Sequence, residues 1–171
     1  FIDEDDVTDL IERLHITLVE KLSEKKIVQK PFPRLSLERA LSLYGKDNPD
    51  LRFDMELKDL TEVVSGGGFR VFDGAVDSGG IVKAVVLPGC AGYSRKQIDE
   101  LTDIVRNFGA KGQISIARIG ADYRSPVKTA LGDDLMDAMT RALQLDDGDL
   151  AIVVADQKAI ANRSLGMLRE I

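Results

Sequence analysis

The most informative stretch of the chain is YGKDNPDLRF, which occupies residues 44–53 of 171. Tyr44 ends an apolar helical pattern, and Gly45 suits the left-handed conformation that commonly follows the last residue of a helix. Pro49 has a fixed φ angle and biases Asn48 toward an extended backbone. The stretch therefore predicts a defined corner, at which a short helix ends and the chain changes direction.

The residues before this corner predict an N-terminal helical segment, because apolar residues recur at the spacing of one helix face. These residues are Val7, Leu10, Ile11, Leu14, Leu18 and Leu22. The acidic run Asp3–Asp6 stands where negative charge favours a helix N-terminus. Pro31 and Pro33 interrupt the pattern, and Ser36 is a suitable cap for a second, short helix that ends at Tyr44.

A change of period after the corner predicts a region of mixed helices and strands. Leu57–Val64 indicates a short helix, and β-branched and aromatic residues predict strands at Phe69–Phe72 and Ile81–Leu87. Ser94 and Gln97 form a capping box that begins the clearest helix of the chain. Further strands are predicted at Gln113–Ile119 and Leu150–Ala155, and further helices at Val127–Leu131, from Asp133 or Asp134 through Leu143, and after a cap at Asp156.

This mixture predicts an α+β fold. We expect a small, mostly antiparallel sheet with helices packed on one face, preceded by the N-terminal helical segment. The domain boundary is expected between Phe53 and Gly68, so that the helical segment covers residues 1–64 and the second domain covers residues 65–171.

Composition and charge exclude several classes of protein. A hydrophobic content of 44% is typical of a globular protein, and a net charge of -6 argues against a general nucleic-acid-binding protein. The single cysteine, Cys90, excludes an intramolecular disulfide and a cysteine-based zinc site, and the single histidine, His15, excludes a multi-histidine metal site. We expect no membrane association, because no apolar run approaches the roughly 20 residues that span a bilayer.

The middle of the chain is nevertheless basic, since residues 65–131 hold 9 Lys and Arg against 6 Asp and Glu. Its cations are candidates for contact with RNA phosphates. The candidates are Lys83, Arg95, Lys96, Lys111, Arg118, Arg124 and Lys128. Lys83 stands apart because it interrupts an apolar strand, where it must reach the edge or pair with an acid if that face is buried.

Two ordered sets of residues carry a family resemblance. PFPR at residues 31–34 and YGKDNPDLRF resemble the stretch of bacterial-type aspartyl-tRNA synthetases where the catalytic domain runs into an inserted domain, although Lys46 and Asn48 depart from the usual serine and lysine. The second half is similar to that insertion, the GAD domain, through a GAKG run at residues 109–112 and the closing Leu165–Arg169.

The resemblance implies that the chain is a piece of a class II aminoacyl-tRNA synthetase, a cytoplasmic ligase of protein biosynthesis. Such a parent is a homodimer that uses ATP and Mg²⁺ to attach L-aspartate to tRNA. The nucleotide-binding motifs of the class are expected outside this chain, so we assign it no catalytic, cofactor-binding or metal-binding residue and expect an inactive monomer. Its expected partners are tRNA and the rest of the catalytic domain.

Other functions stay open on the sequence alone. The module could contact tRNA or act as a scaffold that steadies the catalytic domain. The GAD domain also occurs in an archaeal tRNA-dependent amidotransferase subunit, and a free-standing small-molecule-binding domain is a further alternative. The residues do not indicate whether the parent charges only the aspartate tRNA or also the asparagine tRNA.

Overall fold

Helix α1 spans Glu4–Leu22 in the computed structural model, which describes residues 2–170. A capping box begins it: the Asp3 carboxylate accepts the Asp6 backbone N–H at 2.9 Å, and the Asp6 carboxylate accepts the Asp3 N–H at 3.2 Å. These bonds satisfy donors that a helix N-terminus otherwise leaves without partners. The predicted N-terminal helix and its acidic start are confirmed.

The segment after α1 folds back along the acidic face of that helix. The Phe32 N–H donates to Glu12 Oε1 at 2.7 Å, and Arg34 forms ion pairs with Asp5 and Asp9. The apolar stripe of α1 lies on the other side of the helix, because successive residues are rotated by about 100°. None of the α1 residues is buried.

A sheet and its covering helices form the rest of the described chain. The strands are β1 (Lys58–Asp59), β2 (Ile81–Leu87), β3 (Ile114–Ile119), β4 (Asp122–Arg124) and β5 (Leu150–Asp156). The helices are α2 (Leu37–Tyr44), α3 (Thr61–Val64), α4 (Arg70–Asp77), α5 (Arg95–Asn107), α6 (Lys128–Leu131), α7 (Asp133–Leu143) and α8 (Lys158–Leu168). The five-stranded sheet has the order β1-β2-β5-β3-β4, and every pair is antiparallel.

Helices cover both faces of the sheet. On one face, Val85 and Ile152 pack in a core with residues of α5 and α8. On the other, Ala84 and Val153 pack in a core with residues of α3, α4, α6 and α7. The α+β class and the antiparallel sheet are confirmed, but the prediction that helices cover one face is wrong. The nearly continuous apolar runs of β2, which only Lys83 interrupts, and β5 are typical of strands buried on both sides.

The chain divides into two compact units, residues 1–36 and residues 37–171. The domain boundary expected between Phe53 and Gly68 stays a prediction. The stretch after the corner contributes to the sheet. Strand β1 pairs with β2, and Leu60 directly after β1 is fully buried. The predicted helix over Leu57–Val64 is therefore correct only in its last turn, α3.

The predicted strand at Phe69–Phe72 is wrong, because these residues begin helix α4. A run of four residues is too short to separate a strand from a helix by its period. In the helix, Phe72 is fully buried, and its ring packs edge-on against the ring of Phe69 at a centroid distance of 4.9 Å.

Two predicted helix caps also differ from the structure. Asp156 does not cap α8, whose N-cap is Gln157, and its carboxylate instead accepts the backbone N–H groups of Gln157 at 2.8 Å and Lys111 at 3.3 Å. Helix α7 begins after Gly132 without a side-chain cap. The Ser94 capping box on α5 is confirmed, as are strands β2, β3 and β5 and the helices at α6 and α7.

No helix within residues 2–170 combines the length and the apolar content that crossing a bilayer requires.

Candidate nucleic-acid interface

Lys83 cannot be a surface contact for RNA, because the residue is only 2% exposed. Its ammonium donates to the Ser42 carbonyl oxygen at 2.6 Å and to Asn162 Oδ1 at 2.9 Å. Burial lowers the pKa of Lys83, and the charge of Asp59 opposes that shift. The lysine therefore joins α2 and α8 to β2. The two arrangements expected from the sequence, an edge position and pairing with an acid, do not include this one.

Three further candidates hold neighbouring loops. Arg118 donates through Nη1 to the Leu145 carbonyl oxygen, and Arg124 Nη2 donates to the Ala91 carbonyl oxygen at 2.6 Å. Lys128 forms an ion pair with Asp122 at 2.6 Å. These bonds connect turns near one end of the sheet. They give the three cations a structural role that does not require RNA.

Arg95, Lys96 and Lys111 are exposed. Arg95 and Lys96 lie in the first turn of α5, where Lys96 faces Glu100 across 3.8 Å. Lys111 follows the C-terminal end of the same helix, whose 13 residues place the two ends about 20 Å apart. Lys111 therefore lies at the opposite end of α5 from Arg95 and Lys96, whereas the exposed Arg124 bonds to Ala91 shortly before the start of that helix.

Arg169 organises the corner that the YGKDNPDLRF stretch predicts. Its guanidinium carbon lies 4.7 Å from the ring centroid of Tyr44 and 4.4 Å from that of Phe53. Its Nη2 donates to the carbonyl oxygens of Asp50, Phe53 at 2.9 Å and Asp54 at 3.2 Å. Arg169 is only 3% exposed. A cation stacked between aromatic rings and bonded to carbonyl oxygens holds the corner against the end of α8.

Other contacts tighten the same corner. Lys46 pairs with Glu170 at 2.6 Å, and the Tyr44 hydroxyl donates to Glu56 at 3.0 Å. Hydrogen bonds from Arg52 lower the pKa of Asp50 to about 2. The corner thus packs together parts of the chain that are far apart in sequence. The residues of the corner were predictable from the sequence. The central position of Arg169 was not, because no neighbouring residue indicates it.

Within residues 2–170, no group of His, Cys, Asp and Glu side chains has the arrangement of a metal site. The His15 ring Nδ1 lies 2.9 Å from the Ile11 carbonyl oxygen on an exposed helix. The Cys90 thiol donates weakly to the Pro88 carbonyl oxygen at 3.4 Å.

Comparison with known proteins gives two concordant results. The model of the GAD domain family matches residues 72–165. The chain is 42% identical over 170 residues to an aspartate--tRNA ligase of Geobacillus kaustophilus (strain HTA426), and this match covers 99% of the chain. It is 41% identical over 170 residues to aspartate--tRNA(Asp/Asn) ligases of Bacillus thuringiensis (strain Al Hakam) and Bacillus cereus (strain AH820). The chain spans 29% of the length of these curated relatives.

Proposed function

Because the chain belongs to the GAD domain family, we propose that it is an accessory, non-catalytic region of an aspartate–tRNA ligase. The full enzyme uses ATP and Mg²⁺ to activate L-aspartate and transfers it to tRNA, with the reacting groups supplied by sequence outside this chain. It acts in the cytoplasm as a homodimer, whereas this chain alone is a monomer.

The extent of similarity is the observation that carries this proposal. The ligase relatives match 170 residues, whereas the GAD family model begins only at Phe72. The additional matched length includes α1, the PFPR run and the corner around Arg169. A GAD module from an amidotransferase subunit would not require similarity to ligases across these earlier residues, so the amidotransferase alternative is disfavoured.

A chimeric enzyme tests the proposal directly. The matching region of the Geobacillus kaustophilus ligase is replaced by this chain, and attachment of radiolabelled aspartate to tRNA is measured beside the unaltered ligase. We expect the chimera to charge tRNA, and a second variant that lacks the region reports whether the region is required. A chimera that melts like the unaltered ligase but does not charge tRNA would contradict the proposal.

Within the enzyme, the arrangement of cations favours a scaffold role. Lys83 is buried, and Arg118, Arg124 and Lys128 are engaged in bonds within the chain. Binding to a phosphate backbone depends on several cations that act together. We therefore propose that the region steadies the enzyme body rather than binds tRNA by itself.

An electrophoretic shift with tRNA at rising salt separates the two roles. We expect no shift by the chain at low salt. A shift that disappears as salt increases, and that the combined substitution R95Q/K96Q/K111Q removes, would instead establish tRNA contact at these three residues.

A further inference from the structure

A groove opens on the sheet face that α4 partly covers, between that helix and the start of β3. Its volume is about 400 Å³, within the range of about 300–1,000 Å³ that is usual for small-molecule sites. Apolar side chains line the groove, and polar groups lie at one end. The apolar lining residues are Phe69, Val71, Ala75, Ile114, Val127, Val153 and Ala155.

The wall formed by α4 has room for a bound molecule because it contains Gly74. Val71, Gly74, Ala75 and Ser78 line the groove at the spacing of one helix face. A Cβ atom added at Gly74 would meet no atom within 4 Å. Since Val71 remains 54% exposed, this face of α4 presents apolar surface that the core does not use.

The polar end of the groove holds one cation, Lys111, and one carboxylate, Asp156. The Lys111 backbone N–H donates to Asp156 Oδ2 at 3.3 Å, whereas the exposed Lys111 ammonium has no ion pair among residues 2–170. Both carboxylate oxygens of Asp156 are occupied by backbone N–H groups, the second one from Gln157. The side-chain amide of Gln157 donates to the Ser78 carbonyl oxygen at 3.2 Å and closes this end.

We propose that the groove binds a small amphipathic carboxylate. The apolar body lies over Ile114, Val153 and Ala155, and the carboxylate lies at the Lys111 ammonium. The carboxylate of Asp156 is buried and already accepts two backbone N–H groups, which leaves the exposed Lys111 as the group at this end that can meet a ligand. An apolar slot with such a lysine at one end is complementary to a molecule with one apolar end and one negative end. Such a site is independent of aspartate transfer, so its test does not depend on the outcome of the chimera experiment.

Octanoate is a suitable probe, and the full chain labelled with ¹⁵N reports where it binds. We expect saturable shifts of the amide signals of Gly74, Gly112 and Ile114 in two-dimensional NMR spectra. The substitution K111M is expected to weaken octanoate binding by roughly two- to fivefold, as for an exposed charge pair. The same substitution should leave the binding of neutral 1-octanol unchanged.

A pair of glycine substitutions makes the test specific to the groove. G74L fills the open space on α4 and is expected to abolish the saturable shifts. G92L adds the same side chain at a glycine that also has no neighbouring atom within 4 Å but does not line the groove, and it should bind octanoate like the unaltered chain. Circular dichroism melting checks that both variants fold.

Three results would each overturn the proposal. The first is that folded G74L binds octanoate as tightly as the unaltered chain. The second is that the shifts are confined to the exposed apolar stripe of α1. The third is that the groove shifts increase linearly with octanoate concentration without saturation.

Discussion

Gly166 lies against Gly45 where the end of α2 meets α8. A Cβ atom added to Gly166 would lie 2.9 Å from the Gly45 Cα and 2.7 Å from the Tyr44 carbonyl oxygen. Gly45 also has a φ angle of 73°, which disfavours any other residue. The two backbones can approach this closely only without side chains, and this approach brings the corner within reach of Arg169.

The substitution G166A should therefore destabilise the fold. We expect the free energy of unfolding to fall by about 1–3 kcal/mol, because the added methyl group meets backbone atoms that cannot move aside without disturbing the helix contact. Urea unfolding followed by circular dichroism measures the change. G74A is the matched control, since it lies in a helix with open space around it and should raise the free energy of unfolding by about 0.5–1 kcal/mol. Equal effects of the two substitutions would refute the close approach.

Replacement of Arg169 tests the centre of the corner. R169M should lower the free energy of unfolding by about 2–4 kcal/mol, because it removes the buried cation between two rings and leaves three carbonyl oxygens without their donor. The control is R52M, which removes an arginine from the same stretch whose side chain is 86% exposed, and its effect should be much smaller. If R169M unfolds at the same urea concentration as the unaltered chain, the stacked arginine does not hold the corner.

The buried ammonium of Lys83 predicts a specific dependence of stability on pH. Burial lowers its pKa in the folded state below the ordinary value of 10.5. Between the lowered pKa and 10.5, the unfolded chain binds more protons than the folded chain, so the free energy of unfolding should rise with pH through this interval.

Urea unfolding at several pH values, compared between the unaltered chain and K83M, isolates this contribution. Subtraction of the two curves removes the titration of all other groups, including the raised pKa of Tyr44. The difference between the curves should change with pH in the predicted direction. Parallel curves would show that Lys83 titrates normally in the folded state.

Local signals predicted much of this fold correctly. The capping box of Ser94 with Gln97 and the apolar runs of β2 and β5 contain their information within a few residues, so α5 and these strands were predictable. The run at Phe69–Phe72 was too short for its period to decide between strand and helix. The covering of both sheet faces depends on how separate helices pack. The sequence of one segment alone does not determine that packing.

The candidate site was less predictable because its contacts join residues far apart in sequence. Lys83 and Asn162 are 79 positions apart, and Arg169 bonds to the carbonyl oxygen of Asp50 across 119 positions. A basic residue in the sequence does not reveal whether it lies at the surface or donates to buried oxygen atoms. The predicted RNA contacts therefore included Lys83, which the fold places in the interior.

We propose that this chain supports an aspartate–tRNA ligase without containing the groups that react. The most direct measurement is aspartate-dependent exchange of labelled pyrophosphate into ATP by the purified chain with Mg²⁺, beside the Geobacillus kaustophilus ligase as a positive control. We predict exchange by the control and none above background by this chain. Exchange by the chain that requires aspartate and persists through repeated purification would contradict the claim.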